Sequence, residues 1–439
     1  MGIDDRGYIY TLITVGAILM IFSLVLFYFN TEERPINERV SRLTMDELYY
    51  FVESIKKDAE RSTSIVAQRA TTYAINHIIE HNENLNDYVM RNCSEFHYHI
   101  NGSQAAIAEL MYCGTFKGSR TGPARYMENH TMRDWILKVQ NISQNMSYTA
   151  DIRFRNLSIA PYDSLHFIVV GRWDMYVRDV HGRTFYSINN MPVFSVVPLD
   201  TLEDPSFHLH DGLPSMTRHI NKCERPRIVN GSVMDSWINT GCYMPRENYV
   251  NAPSIFDRME GRDTLSVKYV DQSHETAVEL HYSPKGIAME SLLDLEELSS
   301  FGINVDYNKS QVDFMYWLDT PAYCTVSGMQ HNRFRIDVQH AVDYGIEGLE
   351  CTIIVTNETG VDVFMPAVMT VPVNTTIFWA TPADERHLLS IIPDVWEGDV
   401  ELLSSSTFSW KFTEPEVYRI NCLSLDHGDA ENRIVVLDV

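Results

Sequence analysis

The hydrophobic pattern of the chain begins with one continuous apolar segment. Residues 8–29 carry no charged side chain. About twenty apolar residues span the hydrocarbon core of a bilayer, and the tyrosines near both ends of the segment are typical of membrane interfaces. A secretory signal would have a shorter apolar part followed by small residues. The pattern therefore predicts a retained membrane anchor within residues 1–30.

Helical periodicity follows the apolar segment. Thr44 and Glu47 form a capping box, and apolar residues then recur at three- and four-residue steps to about His81, as on one buried face of a helix. A second helix is predicted at residues 103–111, and a third begins at a cap formed by Thr131. Residues 31–147 are thus predicted to be a mainly helical region.

Alternation of apolar and polar residues replaces the helical period after residue 147. Between residues 149 and 199 four stretches have the two-residue period of strands. Residues 263–270 and 276–283 predict two more strands, and residues 291–298 predict a short helix. Residues 148–348 are therefore predicted to be a mixed α/β region.

The last part of the chain, residues 349–439, consists of seven or eight short alternating runs separated by turn residues. Short strands of even spacing predict a β-sandwich. The predicted fold class is therefore α+β multidomain: an N-terminal transmembrane helix, a helical and then mixed α/β ectodomain, and a C-terminal sandwich.

The composition of the chain limits the kinds of partner that it is expected to bind. It has 439 residues and a formal net charge of −24, with 35 basic and 59 acidic side chains. Because so acidic a surface repels phosphate backbones, no nucleic-acid partner is expected. The sequence contains no nucleophile elbow, phosphate-binding loop, dinucleotide fingerprint or EF-hand. This favours an electron carrier or a structural protein over an enzyme.

Two features place the bulk of the chain outside the cell. The first is a set of ten acceptors for N-linked glycans, all after the apolar segment: Asn92, Asn101, Asn129, Asn141, Asn145, Asn156, Asn230, Asn308, Asn357 and Asn374. The second is a set of seven cysteines. Six of them are near neighbours in the sequence, as in disulfide-bonded proteins of oxidising compartments: Cys93 with Cys113, Cys223 with Cys242, and Cys324 with Cys351. The expected location is therefore single-pass membrane-anchored and extracellular, with Cys422 outside these three pairs.

Two short stretches resemble archaeal proteins. The start RGYIYTL before the apolar segment is similar to the class III signal of archaeal type IV pilin-like proteins. The stretch from GTFKGSR to MENHTMRDWI resembles archaeal membrane-anchored surface proteins. The first resemblance implies a pilin-like subunit with an assembly partner, the second implies a membrane-anchored surface protein, and plain anchoring without assembly stays open as the alternative.

The C-terminal region carries a more specific pattern. An aromatic residue ends a strand, a histidine follows eight residues later, and a phenylalanine, a turn and a tyrosine precede a cysteine and a second histidine. These residues are Trp379, His387, Phe412, Tyr418, Cys422 and His427. In this order residues 349–439 resemble a cupredoxin, the fold of small blue-copper proteins.

The resemblance implies one copper ion and an electron-transfer role with a protein redox partner. Copper that alternates between two oxidation states needs a thiolate and two imidazoles, which Cys422, His387 and His427 would supply. The family places an axial methionine where this chain has Glu431 and Asn432, so a side-chain oxygen of one of these is the expected fourth donor.

A metal-free sandwich is the alternative interpretation of the same residues. A buried cysteine is often only a small core residue, and both histidines could serve loops. In that case the sandwich is a structural module of a pilin-like or adhesive surface glycoprotein.

Overall fold

A computed structural model describes most of the chain. The described residues are 5–91, 101–120, 122–211, 217–246, 251–358, 361–396, 398–424 and 430–438. Within the first helix, side chains are described at residues 14–28 and 43–81. Asn92, Cys93 and His427, which the sequence analysis singled out, lie outside the described residues.

The described residues form the following helices and strands. The helices are α1 (Asp5–His81), α2 (Ser103–Cys113), α3 (Met132–Asn145), α4 (Ser206–Asp211), α5 (Gly231–Thr240), α6 (Ile255–Met259), α7 (Val267–Leu280), α8 (Leu295–Ser300), α9 (Asp313–Trp317) and α10 (Val338–Tyr344), with a 3-10 helix at Gly122–Met127. The strands are β1 (Tyr148–Asp163), β2 (His166–Asp179), β3 (Phe185–Pro198), β4 (Tyr243–Pro245), β5 (Met289–Ser291), β6 (Cys324–Val326), β7 (Leu349–Glu358), β8 (Val361–Met365), β9 (Val368–Pro372), β10 (Thr375–Ala380), β11 (His387–Ile392), β12 (Val400–Leu402), β13 (Thr407–Phe412), β14 (Val417–Cys422) and β15 (Glu431–Leu437).

The first helix, α1, is continuous over 77 residues. The prediction that a new helix begins at Thr44 is wrong. Because the preceding residues are helical as well, backbone N–H groups at this turn meet carbonyls of the turn before and need no cap. The predicted end near His81 is confirmed. Among the described residues, no helix contains a stretch long and apolar enough to cross a bilayer.

The second half of α1 packs against α2, α3 and a three-stranded antiparallel sheet. The strands β1, β2 and β3 pair in chain order, and α1 lies over β2 and β3. Ala67, Ala70 and Ala74 of α1 are fully buried, and such small side chains permit the dense packing of a protein interior. The helix α3 begins at the predicted cap, where Thr131 and Asp134 bond reciprocally to each other's backbone N–H.

Two predictions of strands are wrong. Residues 263–270 and 276–283 contribute instead to the helix α7. The buried residues of α7 are Tyr269, Ser273, Thr276 and Ala277, a spacing of four, seven and eight residues that matches a helix face. Each predicted strand was only eight residues long, and a window of that length does not separate the two periods.

Charged side chains are buried in the part of the chain between the three-stranded sheet and the C-terminal sandwich. Arg258, which is 2% exposed, donates to Asp204 at 2.7 Å and to Asp313 at 2.8 Å. His340 lies between Asp337 at 2.9 Å and Glu290 at 3.2 Å. Buried ions persist only when they are paired in this way, so these contacts hold the short helices of the region together.

The C-terminal strands form two five-stranded sheets. The first has the order β13-β10-β7-β6, with β8 also paired to β7, and the second has the order β12-β11-β14-β15-β9. Most neighbours are antiparallel, but β7 runs parallel to β10 and β9 parallel to β15. The first sheet takes its edge strand β6 from before residue 349, so the sandwich is joined to the middle region by backbone pairing.

Disulfides reinforce this part of the fold. Cys324 of β6 and Cys351 of β7 are register partners and form a disulfide, and a second joins Cys223 to Cys242. Both pairings are as predicted. Cys113 is also disulfide-bonded, while Cys93, its predicted partner, lies outside the described residues. Bridges of this kind are typical of proteins in oxidising compartments.

Aromatic residues of the sequence motif form the core of the sandwich. Trp379 is fully buried, and its ring lies 6.2 Å from that of Phe412, which in turn lies 4.6 Å from that of Tyr418. Trp396 meets Trp379 edge to face at 5.2 Å. Large buried rings supply much of the hydrophobic free energy of a small domain, so this cluster stabilises the sandwich.

Candidate metal centre

Cys422 and His387 lie at the same end of the second sheet. His387 is the first residue of β11 and Cys422 is the last residue of β14, and the antiparallel register sets Leu389 opposite Cys422. Side chains two residues apart in a strand share a face. Because His387 is 1% and Cys422 is 5% exposed, both side chains face the interior of the sandwich.

The thiol and the imidazole approach each other. Cys422 Sγ lies 3.9 Å from Nδ1 of His387. Ser424 Oγ lies 3.4 Å from the same sulfur and accepts a hydrogen bond of 3.1 Å from the backbone N–H of Leu388. The hydroxyl therefore links the strand that carries the cysteine to the strand that carries the histidine.

The second ring nitrogen of His387 faces a carboxylate. Its Nε2 lies 3.3 Å from Oε2 of Glu385. The same carboxylate accepts hydrogen bonds from the backbone N–H of Asn357 at 3.0 Å and from the Thr356 hydroxyl at 3.2 Å. These contacts leave Nδ1 as the ring nitrogen nearest the sulfur.

The two predicted fourth donors occupy opposite faces of β15. Asn432 is fully buried and lies opposite Ile420, which shares its face of β14 with Cys422. The side chain of Glu431 is 50% exposed, with its carboxylate 3.9 Å from Arg419 Nε. The strand alternation therefore brings Asn432, and not Glu431, to the face of the sheet that carries the cysteine.

The amide of Asn432 has a fixed orientation. Its Nδ2 donates to the carbonyl oxygens of Pro366 at 2.9 Å and Ala367 at 3.0 Å. Its Oδ1 is buried and meets no hydrogen-bond donor among the described residues. A buried polar atom without a donor is rare in folded proteins and calls for a ligand or a functional role.

The remaining predicted ligand is His427. It belongs to residues 425–429, which lie between β14 and β15 in the sequence and outside the described residues. Within the described residues no group of three or more His, Cys, Asp or Glu side chains is arranged to hold a metal ion. The structure thus brings two of the predicted ligands together and adds a buried amide oxygen on the same face of the sheet.

The donor types fit a copper ion. The Cys422 thiol is outside any disulfide, and thiolate, imidazole and a weak oxygen donor are the combination that redox copper prefers. Metal–sulfur bonds of about 2.3 Å and metal–nitrogen bonds of about 2.0 Å place two ligands of one ion roughly 3.5 to 4 Å apart. The observed separation of Sγ and Nδ1 is 3.9 Å.

Two residues that contact these ligands were missed in the sequence. Glu385 and Ser424 each lie two positions from a ligand, and the family pattern names neither. Residues two positions apart in a strand, or at the end of a strand, have side chains on the same side of the chain. A polar residue two positions from a predicted ligand could therefore have been identified from the sequence as a candidate contact.

Comparison with known proteins links part of the chain to one group of structures. No family model and no curated protein matches the chain. Similar solved structures include a purple cupredoxin from Nitrosopumilus maritimus, with 25% identity over 20% of this chain and 98% of that chain and a TM-score of 0.17. A pseudoazurin from Methylobacterium extorquens AM1 has 20% identity over 20% of this chain and 76% of its own, with a TM-score of 0.17. An oxidised plastocyanin from Dryopteris crassirhizoma has 17% identity over 20% of this chain and all of its own, also with a TM-score of 0.17. Each of these three similarities covers a fifth of this chain.

Proposed function

We propose that this chain binds one copper ion in its C-terminal sandwich and transfers electrons. The observation that carries the proposal is the approach of Cys422 Sγ to His387 Nδ1 at 3.9 Å, on a buried face. A thiol and an imidazole so placed, with a carboxylate on the outer ring nitrogen, form the arrangement of a metal-binding pair.

In this proposal Cys422, His387 and His427 would hold the ion, and Asn432 would supply a weak oxygen donor through Oδ1. Copper held there would exchange one electron between Cu(II) and Cu(I) with a protein redox partner. The strands of the second sheet hold the two described ligands at a fixed separation. A stiff scaffold of this kind limits the movement that accompanies electron exchange.

The test uses the full-length protein in detergent. Addition of Cu(II) to the wild-type chain is expected to produce an intense visible band from charge transfer between the thiolate and the metal. The Cys422→Ser variant is expected to lack that band while it keeps the thermal unfolding of the metal-free protein. A wild-type protein that takes up no Cu(II), or binds it without the band, would overturn the proposal.

We propose further that the chain is anchored in a membrane by its first helix and lies outside the cytoplasm. The apolar side chains between Val15 and Tyr28 are 44–68% exposed, which is unfavourable in water and suits a lipid environment. Eight of the glycan acceptors are exposed and Asn357 is half-buried, so the described acceptors are accessible to a transferase. Extraction that requires detergent and a mass loss on deglycosylation would support this placement, whereas release from membranes by salt would contradict it.

A second candidate is a structural, pilin-like surface glycoprotein with a metal-free sandwich. The observation that favours it is α1, a single helix of 77 residues with an exposed apolar N-terminal part and a buried C-terminal part. A helix of that form can pack with other copies in a filament. Filaments in micrographs of the full-length protein, together with the absence of a copper band, would favour this candidate over the first.

A further inference from the structure

The carboxylate of Glu385 is held by both sheets of the sandwich. Glu385 lies two residues before His387, the first residue of β11 in the second sheet, and its Oε2 meets His387 Nε2 at 3.3 Å. The bonds from Asn357 N–H and the Thr356 hydroxyl come from β7 in the first sheet. A side chain with three such contacts has little freedom to rotate, so the position of the carboxylate against the imidazole is defined by the fold.

This contact determines which nitrogen of His387 can bind a metal. A neutral imidazole carries one N–H and one lone pair. A carboxylate accepts but does not donate, so the proton resides on Nε2 and the lone pair on Nδ1 is directed toward the side of Cys422. The negative charge beside the ring also makes Nδ1 a stronger donor to a cation.

We infer that Glu385 is a positioning residue that orients His387 for copper and favours Cu(II) over Cu(I). The inference rests on the copper site proposed above. Cu(II) carries one more positive charge than Cu(I), so a nearby carboxylate stabilises the oxidised ion more than the reduced one. Because Glu385 contacts the imidazole of His387 at its outer nitrogen, its effect on the ion passes through that ring.

The experiment compares Glu385→Gln with a matched control in the full-length protein. Gln keeps an oxygen that can accept from Nε2 and removes the charge. The control is Glu401→Gln, because Glu401 is an exposed carboxylate opposite Leu388 in the neighbouring strand β12. The quantities measured are the dissociation constants of Cu(II) and Cu(I) by chelator competition, the reduction potential, and the melting temperature of the metal-free protein.

The expected result for Glu385→Gln is about a tenfold weaker binding of Cu(II), as for other groups that support a ligand histidine, with a smaller change for Cu(I). A tenfold selective loss corresponds to a rise of about 59 mV in the potential of a one-electron couple. Glu401→Gln should leave the ratio of the two constants unchanged. The Glu385→Ala variant, which also lacks the hydrogen bond, should shift the visible band as well.

Two outcomes would overturn the inference, and they are distinguishable. If the wild-type protein shows the copper band and Glu385→Gln lowers only the melting temperature, with the Cu(II)/Cu(I) ratio unchanged, Glu385 has a structural role and the copper proposal survives. If the wild-type protein shows no band, the copper proposal fails and the inference fails with it.

Discussion

The sulfur of Cys422 and Nδ1 of His387 lie 3.9 Å apart, although 35 residues separate them in the sequence. The distance arises from strand pairing, since β11 and β14 are adjacent and antiparallel with Leu389 opposite Cys422. Ser424 then bridges the strands through the N–H of Leu388. Because the register sets this spacing, a copper ion bound by both side chains, as proposed above, would meet them already preorganised.

His387 should be essential for the copper band. The substitution His387→Gln removes Nδ1 from the position beside the thiol, and we expect the visible band to disappear and Cu(II) affinity to fall by at least about tenfold. The measurement is a Cu(II) titration of the full-length protein followed by absorbance. The control is His274→Gln, since His274 is exposed on α7. Equal copper binding in both variants would rule out His387 as a ligand.

The two candidate fourth donors should respond differently to substitution. Asn432→Leu removes the buried Oδ1, so the copper band should shift while the loss of Cu(II) affinity stays below about tenfold, because an axial donor binds weakly. Glu431→Gln should leave both the band and the affinity unchanged, because that side chain is 50% exposed on the other face of β15. If the band shifts in Glu431→Gln and stays unchanged in Asn432→Leu, the register described here would be contradicted.

The buried arginine of the middle region should be critical for stability. Arg258→Met leaves the carboxylates of Asp204 and Asp313 buried without their cation, and breaking such a pair typically costs about 3–5 kcal/mol. We expect a loss of that size in the free energy of unfolding by denaturant. The control, Arg262→Met, removes a guanidinium that is 44% exposed and should change stability by less than about 1 kcal/mol. Similar effects of the two substitutions would contradict this assignment.

The disulfide between β6 and β7 should stabilise the attachment of the sandwich. Replacement of Cys324 and Cys351 together by serine opens a loop with a sequence separation of 27 residues. The chain-entropy model assigns a loss of about 3 kcal/mol to such a change. Chemical denaturation of the double variant under oxidising conditions measures it. No change in the unfolding midpoint would show that the backbone pairing of β6 suffices without the covalent bond.

Stability should fall as the pH rises past neutrality because of His340. Burial acts to lower the pKa of His340, but Asp337 and Glu290 outweigh it and raise that pKa to about 9. The value in the unfolded chain is about 6.5, so the stabilisation is complete below pH 6.5 and is lost as the pH rises through 9. The difference between these two pKa values corresponds to a loss on the order of 3 kcal/mol.

The measurement is the free energy of unfolding at pH 6, 7.5 and 9 for the wild type and for His340→Gln. Tyr344 and Arg246 also contact Glu290 and are present in both proteins. The wild-type curve should decline between pH 6.5 and 9, and the curve of the variant should decline less. An equal decline of the unfolding free energy with pH in both proteins would show that His340 is not the cause of the pH dependence.

Local patterns determined much of this fold from the sequence. The sandwich strands, the cap of α3, the end of α1 and two disulfide pairs follow the predictions because periodicity, caps and short cysteine separations involve neighbouring residues. The same locality explains the errors at α7 and Thr44. Periodicity in eight residues is ambiguous, and a capping pattern is also compatible with the interior of a helix that began earlier.

The sequence by itself also predicted which side chains would bind copper, because the order and spacing of Trp379, His387 and Cys422 resemble those of cupredoxins. Only the tertiary structure decided that Asn432, and not Glu431, lies on the face of the sheet that carries the cysteine, that β6 joins the sandwich, and that Glu385 contacts the outer nitrogen of His387. These relationships depend on the register of strands far apart in the chain. Register is set by the packing of the whole sheet, and a shift of one residue would reverse which side chains face the interior.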